Sequence, residues 1–204
     1  MTPIVAKASN ESKFPKLPLP ETGTVQGVCC GVWDIGLQKS NYKGVEKIKH
    51  QIVVAWEIDQ LIDVHESEYN GKPYMLSKTY TLSLYENSNL RKDLESWRGK
   101  QFSEQEVNSG FDVSTLYGIN CMLGIVHKVD ERDASKVYAN MSSILPPMRN
   151  MKKMIPVRAE DEPAPKWVLE KKAAAVQEQD VNPFDAPFEP AGPDVGDGDN
   201  IGFA

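Results

Sequence analysis

Between Val45 and Asp59 the chain alternates with a period of two: Ile48, His50, Ile52, Val54, Trp56 and Ile58 fall on one face, Lys47, Lys49, Gln51, Val53 and Glu57 on the other. A helix would spread the apolar set around its circumference, whereas an extended strand gathers it on one side. The run therefore predicts a strand with a basic stretch on its outer face. Its neighbours have the same character. Thr24–Gln38 is rich in β-branched and small residues, with Gly27 and Gly31 marking a bend or bulge, and Asn41–Gly44 supplies the turn into the next strand. After a loop carrying Asn70, Gly71, Lys72 and Pro73, the segment Tyr74–Tyr85 places Leu76, Tyr80, Leu82 and Leu84 together, with Ser77, Thr79, Thr81, Ser83 and Tyr85 opposite. Three strands in succession predict a meander.

The period then changes. Ser88 or Asn89 caps a helix in which Leu90, Leu94 and Trp97 recur at i, i+4 and i+7, Arg91 stands one turn before Glu95, and Gly99 supplies the stop. Ser103–Glu106 is a capping box closed by Gly110, and Phe111–Gly118 reads as one more helical turn. Ile119–Val129 returns to strand character, Asp130–Asp133 makes a hairpin tip, and Lys136–Leu145 is a fifth strand ended by Pro146 and Pro147. The predicted fold is mainly β: a five-stranded OB-fold barrel with a helical segment between strands 3 and 4. Leu90, Leu94 and Trp97 would plug its bottom.

Charge divides the 204 residues unevenly. Through Arg158 there are 20 Lys and Arg against 18 Asp and Glu; from Ala159 onward there are 3 against 11. The segment 158–204 is also rich in Pro and Gly, too poor in apolar surface to offset chain entropy, and reads as an acidic, largely disordered, partner-binding tail with a short helix around Trp167–Gln179. Residues 1–21, with four prolines, read as a flexible arm, leaving 22–157 as the ordered body. A hydrophobic content of 40% excludes wholesale disorder. No apolar run is long enough to span a bilayer and the first residues lack a signal-peptide pattern, so no membrane association and a cytoplasmic location are expected. Cys29 and Cys30 are adjacent and point to opposite faces of a strand, which suits neither a disulfide framework nor a zinc ribbon.

An enzyme needs an activated nucleophile, tuned carboxylates or a metal cage, and little here supplies one. His50, His65 and His127 are scattered, His50 reading as a core or edge residue of its strand. A nuclease using Asp34, Glu57 and Asp59 around a divalent ion is the most distant reading, since these carboxylates form no clustered motif. No cofactor or metal is called for, and no catalytic residue is assigned.

A binding module fits better. Small barrels that hold single strands combine a basic groove with rings on which bases stack. The residues assigned here are Trp33, Tyr42, Lys43, Lys47, Lys49, Lys78, Tyr80, Tyr85, Arg91, Lys92 and Arg98, with Trp33, Tyr42 and Tyr85 the foremost stacking rings; Trp56 and Trp97 are assigned to the core. For any of these rings the plain alternative is a core position, and for the lysines a solvated strand edge. In the tail, Asp194, Asp197 and Asp199 lead into Ile201 and Phe203, an acidic run with an apolar end suited to a basic, apolar-lined pocket of a partner or to competition with nucleic acid in the protein's own groove.

The stretch Ser77–Phe102, preceded by Trp56 and Glu57 and followed by Phe111, Asp112 and Gly118, resembles a family of bacteriophage replication- and recombination-region proteins, OB-fold single-stranded-DNA-binding proteins, over residues 24–146. The tail resembles the acidic tips of bacterial single-stranded-DNA-binding proteins, which end in acids followed by Ile-Pro-Phe; here Gly202 stands in the proline position and Ala204 follows Phe203. The resemblance implies a sequence-tolerant protein that coats and protects single-stranded DNA during phage replication and recombination, in the host cytoplasm. Its tail would recruit phage or host replication and recombination proteins, and a homo-oligomer is compatible with it. The alternative is a protein-interaction module, such as a recombinase accessory or an inhibitor of a host nucleic-acid enzyme.

Overall fold

A computed structural model describes residues 17–42, 45–65, 67–131 and 133–176. The protein is mainly β, built on one antiparallel sheet of five strands in the order β3-β2-β1-β4-β5. The strands are β1 (Gly23–Tyr42), β2 (Val45–Leu61), β3 (Pro73–Thr81), β4 (Asn120–Val129) and β5 (Val137–Leu145). Between β3 and β4 come helix α1 (Asn89–Arg98), the short helix α2 (Glu104–Ser109) and a 3-10 turn (Val113–Leu116). The capping signals act as the sequence indicates. The Ser88 side chain accepts from the Arg91 N–H, Gly99 ends α1 in the left-handed region, and Ser103 and Glu106 form the reciprocal box.

β1 and β2 outrun the rest of the sheet. Their pairing continues to Tyr42 opposite Val45, whereas β3 leaves β2 at Gln51 and β4 leaves β1 at Val28. Beyond Gly36 and Gln51 the pair continues as a two-stranded ribbon. Two irregularities interrupt the register of β1, one at Cys29/Gly31 where the pairing with β4 ends and one at Asp34/Gly36 at the base of this ribbon. Gly36 sits at φ 73°, a conformation that excludes most side chains, with its N–H donated to Asp34 Oδ1 at 2.8 Å.

The main core lies on one face, where Cys29, Ile52, Val54, Trp56, Ile58, Leu76, Leu123 and Ile125 meet Leu90, Leu94 and Trp97 of α1. Trp56 and Trp97 are tilted neighbours with centroids 5.7 Å apart. The expected barrel is not closed. β3 and β5 are the two ends of the sheet, and among the described residues no ladder joins them. Helix α1 stands at that seam and binds both edges through side chains. Ser96 Oγ donates to the Ile144 carbonyl of β5 at 2.6 Å, while Asp93 Oδ2 accepts from Lys78 Nζ and Tyr80 OH of β3, both at 2.7 Å.

The opposite face is covered too, which the sequence reading did not foresee. All residues from Ile52 to Ile58 are buried, although only alternate ones face the main core. The cover is the segment following β5, a strap that runs to Val176 and contains helix α3 (Lys166–Ala173). Three buried polar side chains hold it. Gln26 Nε2 donates to the Lys152 carbonyl at 2.7 Å, and Asn120 both accepts from the Met154 N–H (2.7 Å) and donates to the Met154 carbonyl (2.9 Å). The Glu57 carboxylate accepts from the N–H groups of Val157 (2.6 Å) and Arg158 (3.0 Å). Val168 of α3 then packs on Ile35 and Val53, and the Val176 N–H reaches the Leu37 carbonyl.

The expectation of a largely disordered segment from residue 158 is therefore corrected for 158–176. Its acids and prolines cannot build a core, but the strap needs none of its own, because it uses the apolar face of β1 and β2. The helix expected at Trp167–Gln179 ends at Ala173. Likewise residues 17–21 of the expected arm are placed: Leu17 and Leu19 pack on the core, and the Pro20 carbonyl lies 2.8 Å from His127 Nε2. Residues 1–16 and 177–204 lie outside the described residues.

Candidate nucleic-acid interface

The ribbon carries the cations that the alternation of β2 placed outward. Lys39 pairs with Glu46 across the strands at 3.0 Å, and Lys47 and Lys49 stand opposite Ser40 and Gln38. Lys43 and the side chain of Tyr42 fall outside the described residues. At the ribbon base His50 Nε2 lies 2.7 Å from Asp34 Oδ1. Burial works to raise the Asp34 carboxyl, but the Gly36 N–H and His50 outweigh it and hold the group below its ordinary value. The His50 carbonyl accepts the Leu82 N–H at 2.8 Å, which fixes the segment after β3 against this base.

That segment presents Tyr85, 44% exposed, one turn ahead of α1. Arg91 is clamped beneath it, with Nη1 donated to the Leu84 carbonyl at 3.2 Å and Nε to Glu95 at 2.9 Å, while Lys92 points into solvent. The segment that carries Tyr85, and after it Lys92 on α1, is thus tied to the base of the ribbon on which Lys49 stands beside His50. Cationic groups and an open aromatic ring at one sheet end can hold a phosphate backbone and stack a base.

Other assigned residues are placed differently. Tyr80 is 3% exposed, its ring in the main core, and offers no face to a base. Its tail-end hydroxyl and Lys78 both serve Asp93, so the Lys78 charge is neutralised inside the fold. The reason lies in the seam: α1 brings a carboxylate down on this part of β3. Arg98 is committed to Glu106 and lies over the Phe102 ring at 4.4 Å. The Glu106 carboxyl is accordingly lowered to about 2, chiefly by its hydrogen bond from Arg98. Trp33 is half-buried on the strap side, its indole lying over Gly31 so closely that a Cβ there would come within 2.2 Å of the ring. The Arg158 guanidinium covers it at 5.4 Å. Trp33, Tyr117, Arg158 and Glu162 line a cleft of about 270 Å³ under the strap.

The carboxylates weighed for a nuclease are not gathered. Asp34 serves Gly36 and His50, Glu57 holds the strap, and Asp59 is exposed farther along β2. Among the described residues no group of three His, Cys, Asp or Glu is positioned to hold a metal ion. All three cysteines are buried, and burial pushes the Cys29 thiol up to about 12.

The sequence reading missed the strap cations. Arg149, Lys152 and Lys153 are exposed and Arg158 is clamped, four bases in a stretch of ten residues without an acid. That run was visible in the sequence but fell at the boundary drawn between body and tail. The assigned tail residues Asp194, Asp197, Asp199, Ile201 and Phe203 lie outside the described residues. Among the described residues no helix is long and apolar enough to cross a membrane. No protein-family model matches the chain, and no curated protein matches it.

Proposed function

We propose that this chain is a sequence-tolerant single-stranded-DNA-binding protein, an OB-type sheet opened at the β3/β5 seam, that coats replication and recombination intermediates. In this reading its acidic tail recruits replication or recombination proteins. The observation that carries the proposal is the attachment of the segment bearing exposed Tyr85 to the base of the lysine-bearing ribbon, through the Leu82 N–H and the His50 carbonyl, with exposed Lys92 following at the start of α1. The element order supports it, with a helix at the edge-strand seam between the third and fourth strands. The mechanism needs no bond to be made or broken. Lysines neutralise phosphates and release counterions, and an exposed ring gives a base a surface that is indifferent to sequence.

The test is fluorescence anisotropy of labelled oligothymidine and mixed-sequence strands over a salt series, with and without EDTA. Binding is expected to be independent of EDTA and of sequence, with log K falling about 0.7 per neutralised phosphate for each unit of log salt. Lys47→Ala with Lys49→Ala should flatten that slope. Absence of binding at low salt, or affinity indifferent to salt, would overturn the proposal and favour the protein-interaction module.

A further inference from the structure

The strap between β5 and α3 carries a surface that the DNA-binding reading does not use. Val28 of β1 stands opposite Asn120 of β4 on one side and Glu57 of β2 on the other, so those two residues are two strand spacings apart, roughly 10 Å. The strap crosses this interval from Met154, bonded to Asn120, to Val157, bonded to Glu57, and three residues reach about 10 Å only when extended. A chain drawn out in this way alternates. Met154 and Pro156 are half-buried against the sheet, whereas Ile155 and Val157 are 84% and 72% exposed. Before them come Arg149, Lys152 and Lys153; after them come Glu160, Asp161 and Glu162. Glu162 is spent on Arg158 at 2.9 Å, but the other five make no ion pair among the described residues.

The order is basic, apolar, acidic, and it is symmetric about Pro156. Lys152 and Glu160 lie four residues to either side of that proline, and Ile155 and Val157 are its immediate neighbours. Two such straps laid antiparallel about a two-fold axis at Pro156 match. Lys152 meets the partner's Glu160, Ile155 meets the partner's Val157, and the symmetry makes each contact twice. Laid parallel, the straps would set like charges against each other, so the sense is fixed. We infer that residues 149–161 form a self-complementary surface on which a second copy of this chain docks, giving a two-fold dimer closed over Ile155 and Val157. Other occupants satisfy only half of the strip. A phosphate backbone is drawn to Lys152 and Lys153 but repelled by Glu160 and Asp161, and an acidic peptide meets the same repulsion. A second copy brings both signs in reverse order, together with apolar groups for the exposed middle.

The dimer involves no nucleic acid and does not rest on the DNA-binding reading, so either can fail without the other. Sedimentation velocity of the full chain without DNA, from about 2 to 200 µM, should show a monomer–dimer equilibrium that weakens as salt rises. Ile155→Asp, at a position 84% exposed in the single chain, should lower the association constant at least about tenfold while leaving the circular dichroism unchanged. Two charge reversals give the sharper arm. Lys152→Glu with Lys153→Glu turns the basic half acidic, and Glu160→Lys with Asp161→Lys turns the acidic half basic. Each variant alone should stay monomeric at concentrations where the unaltered protein is dimeric. Mixed in equal amounts the two should pair, because the acids of one then face the bases of the other. Pairing on mixing also shows that both are folded; should one reversal unfold, Ile155→Asp decides the matter. A chain that stays monomeric through about 200 µM overturns the inference. So does a dimer indifferent to Ile155→Asp, and so do folded reversal variants that dimerise alone or fail to pair when mixed. Association that is lost in Phe203→Ala but kept in the strap variants would place the contact in the tail and overturn it as well.

Discussion

Glu57 offers the sharpest perturbation. Its carboxylate is 5% exposed in the middle of an otherwise apolar stretch of β2 and accepts two strap N–H groups at 2.6 and 3.0 Å. Hydrogen bonds to a charged acceptor contribute roughly 1.5–3 kcal/mol each, so Glu57→Ala forfeits about 3–6 kcal/mol if the strap stays in place with two orphaned amides. The strap has a cheaper response, which is to lift and hydrate them. It then gives up the burial of Val168 on Ile35 and Val53, worth about 1.5–3 kcal/mol for one fully buried valine. The expected loss is therefore about 1.5–3 kcal/mol, set by the easier route. Glu57→Gln keeps one carbonyl acceptor but turns its NH2 toward the second amide, and should lose about half as much. Urea unfolding gives the total, and amide exchange at Val157, Arg158 and Val168 locates it: in Glu57→Ala these three should exchange far faster while amides of β1 and β2 under the main core change less. A midpoint and exchange pattern equal to those of the unaltered protein would refute the assignment of Glu57 as the strap anchor.

Trp97→Ala should cost about 3–5 kcal/mol in calorimetry, because it empties a position against Trp56 and deletes the Nε1 donor to the Asn120 carbonyl at 2.9 Å. Tyr85→Ala should weaken oligonucleotide binding by about 1–3 kcal/mol with unfolding changed by less than about 0.5 kcal/mol, since the ring is largely solvent-exposed. A stability loss with unaltered affinity would return Tyr85 to a structural role. Burial works to raise the Glu95 carboxyl, but the Phe102 N–H and Arg91 prevail and hold it below its ordinary 4.5. A carboxyl lowered on folding stabilises above its unfolded value and loses that effect as pH falls through the folded one. Glu95→Gln should therefore be destabilising at neutral pH, with the gap to the unaltered protein closing below about pH 4.5 in denaturation curves.

The meander, the capped α1 and the returning hairpin were legible because each element carries its own period or cap, from the alternation of Ile52, Val54, Trp56 and Ile58 to the spacing of Leu90, Leu94 and Trp97. What could not be read is whatever depends on a second layer. Val53 looks like part of the outer half of an alternating strand, yet is buried because Val168, more than a hundred residues later, packs on it. The signal was present in another form. Seven successive residues from Ile52 to Ile58 contain one polar group, which is the pattern of a strand covered on both faces, with Glu57 as its one attachment point. The site was misread where local chemistry is overridden by a neighbour: Lys78 and Tyr80 resemble a basic aromatic patch until Asp93 is brought above them. Conversely Tyr85 and Lys92, beyond the strand and on the free side of the helix, keep the exposure that their positions suggested.

The strap also gives the protein a schedule. Its bonds to Gln26 and Glu57 span 126 and 100 residues of sequence, so β1 and β2 emerge from the ribosome long before their cover does. At about 5–20 residues per second, Val53 waits roughly 6–23 s for Val168 to be synthesised. Throughout that interval the nascent chain shows Ile35 and Val53 to its surroundings, and the risk of sticking to neighbouring polypeptides is concentrated in translation. Chaperone demand therefore belongs to the unfinished polypeptide more than to the finished one.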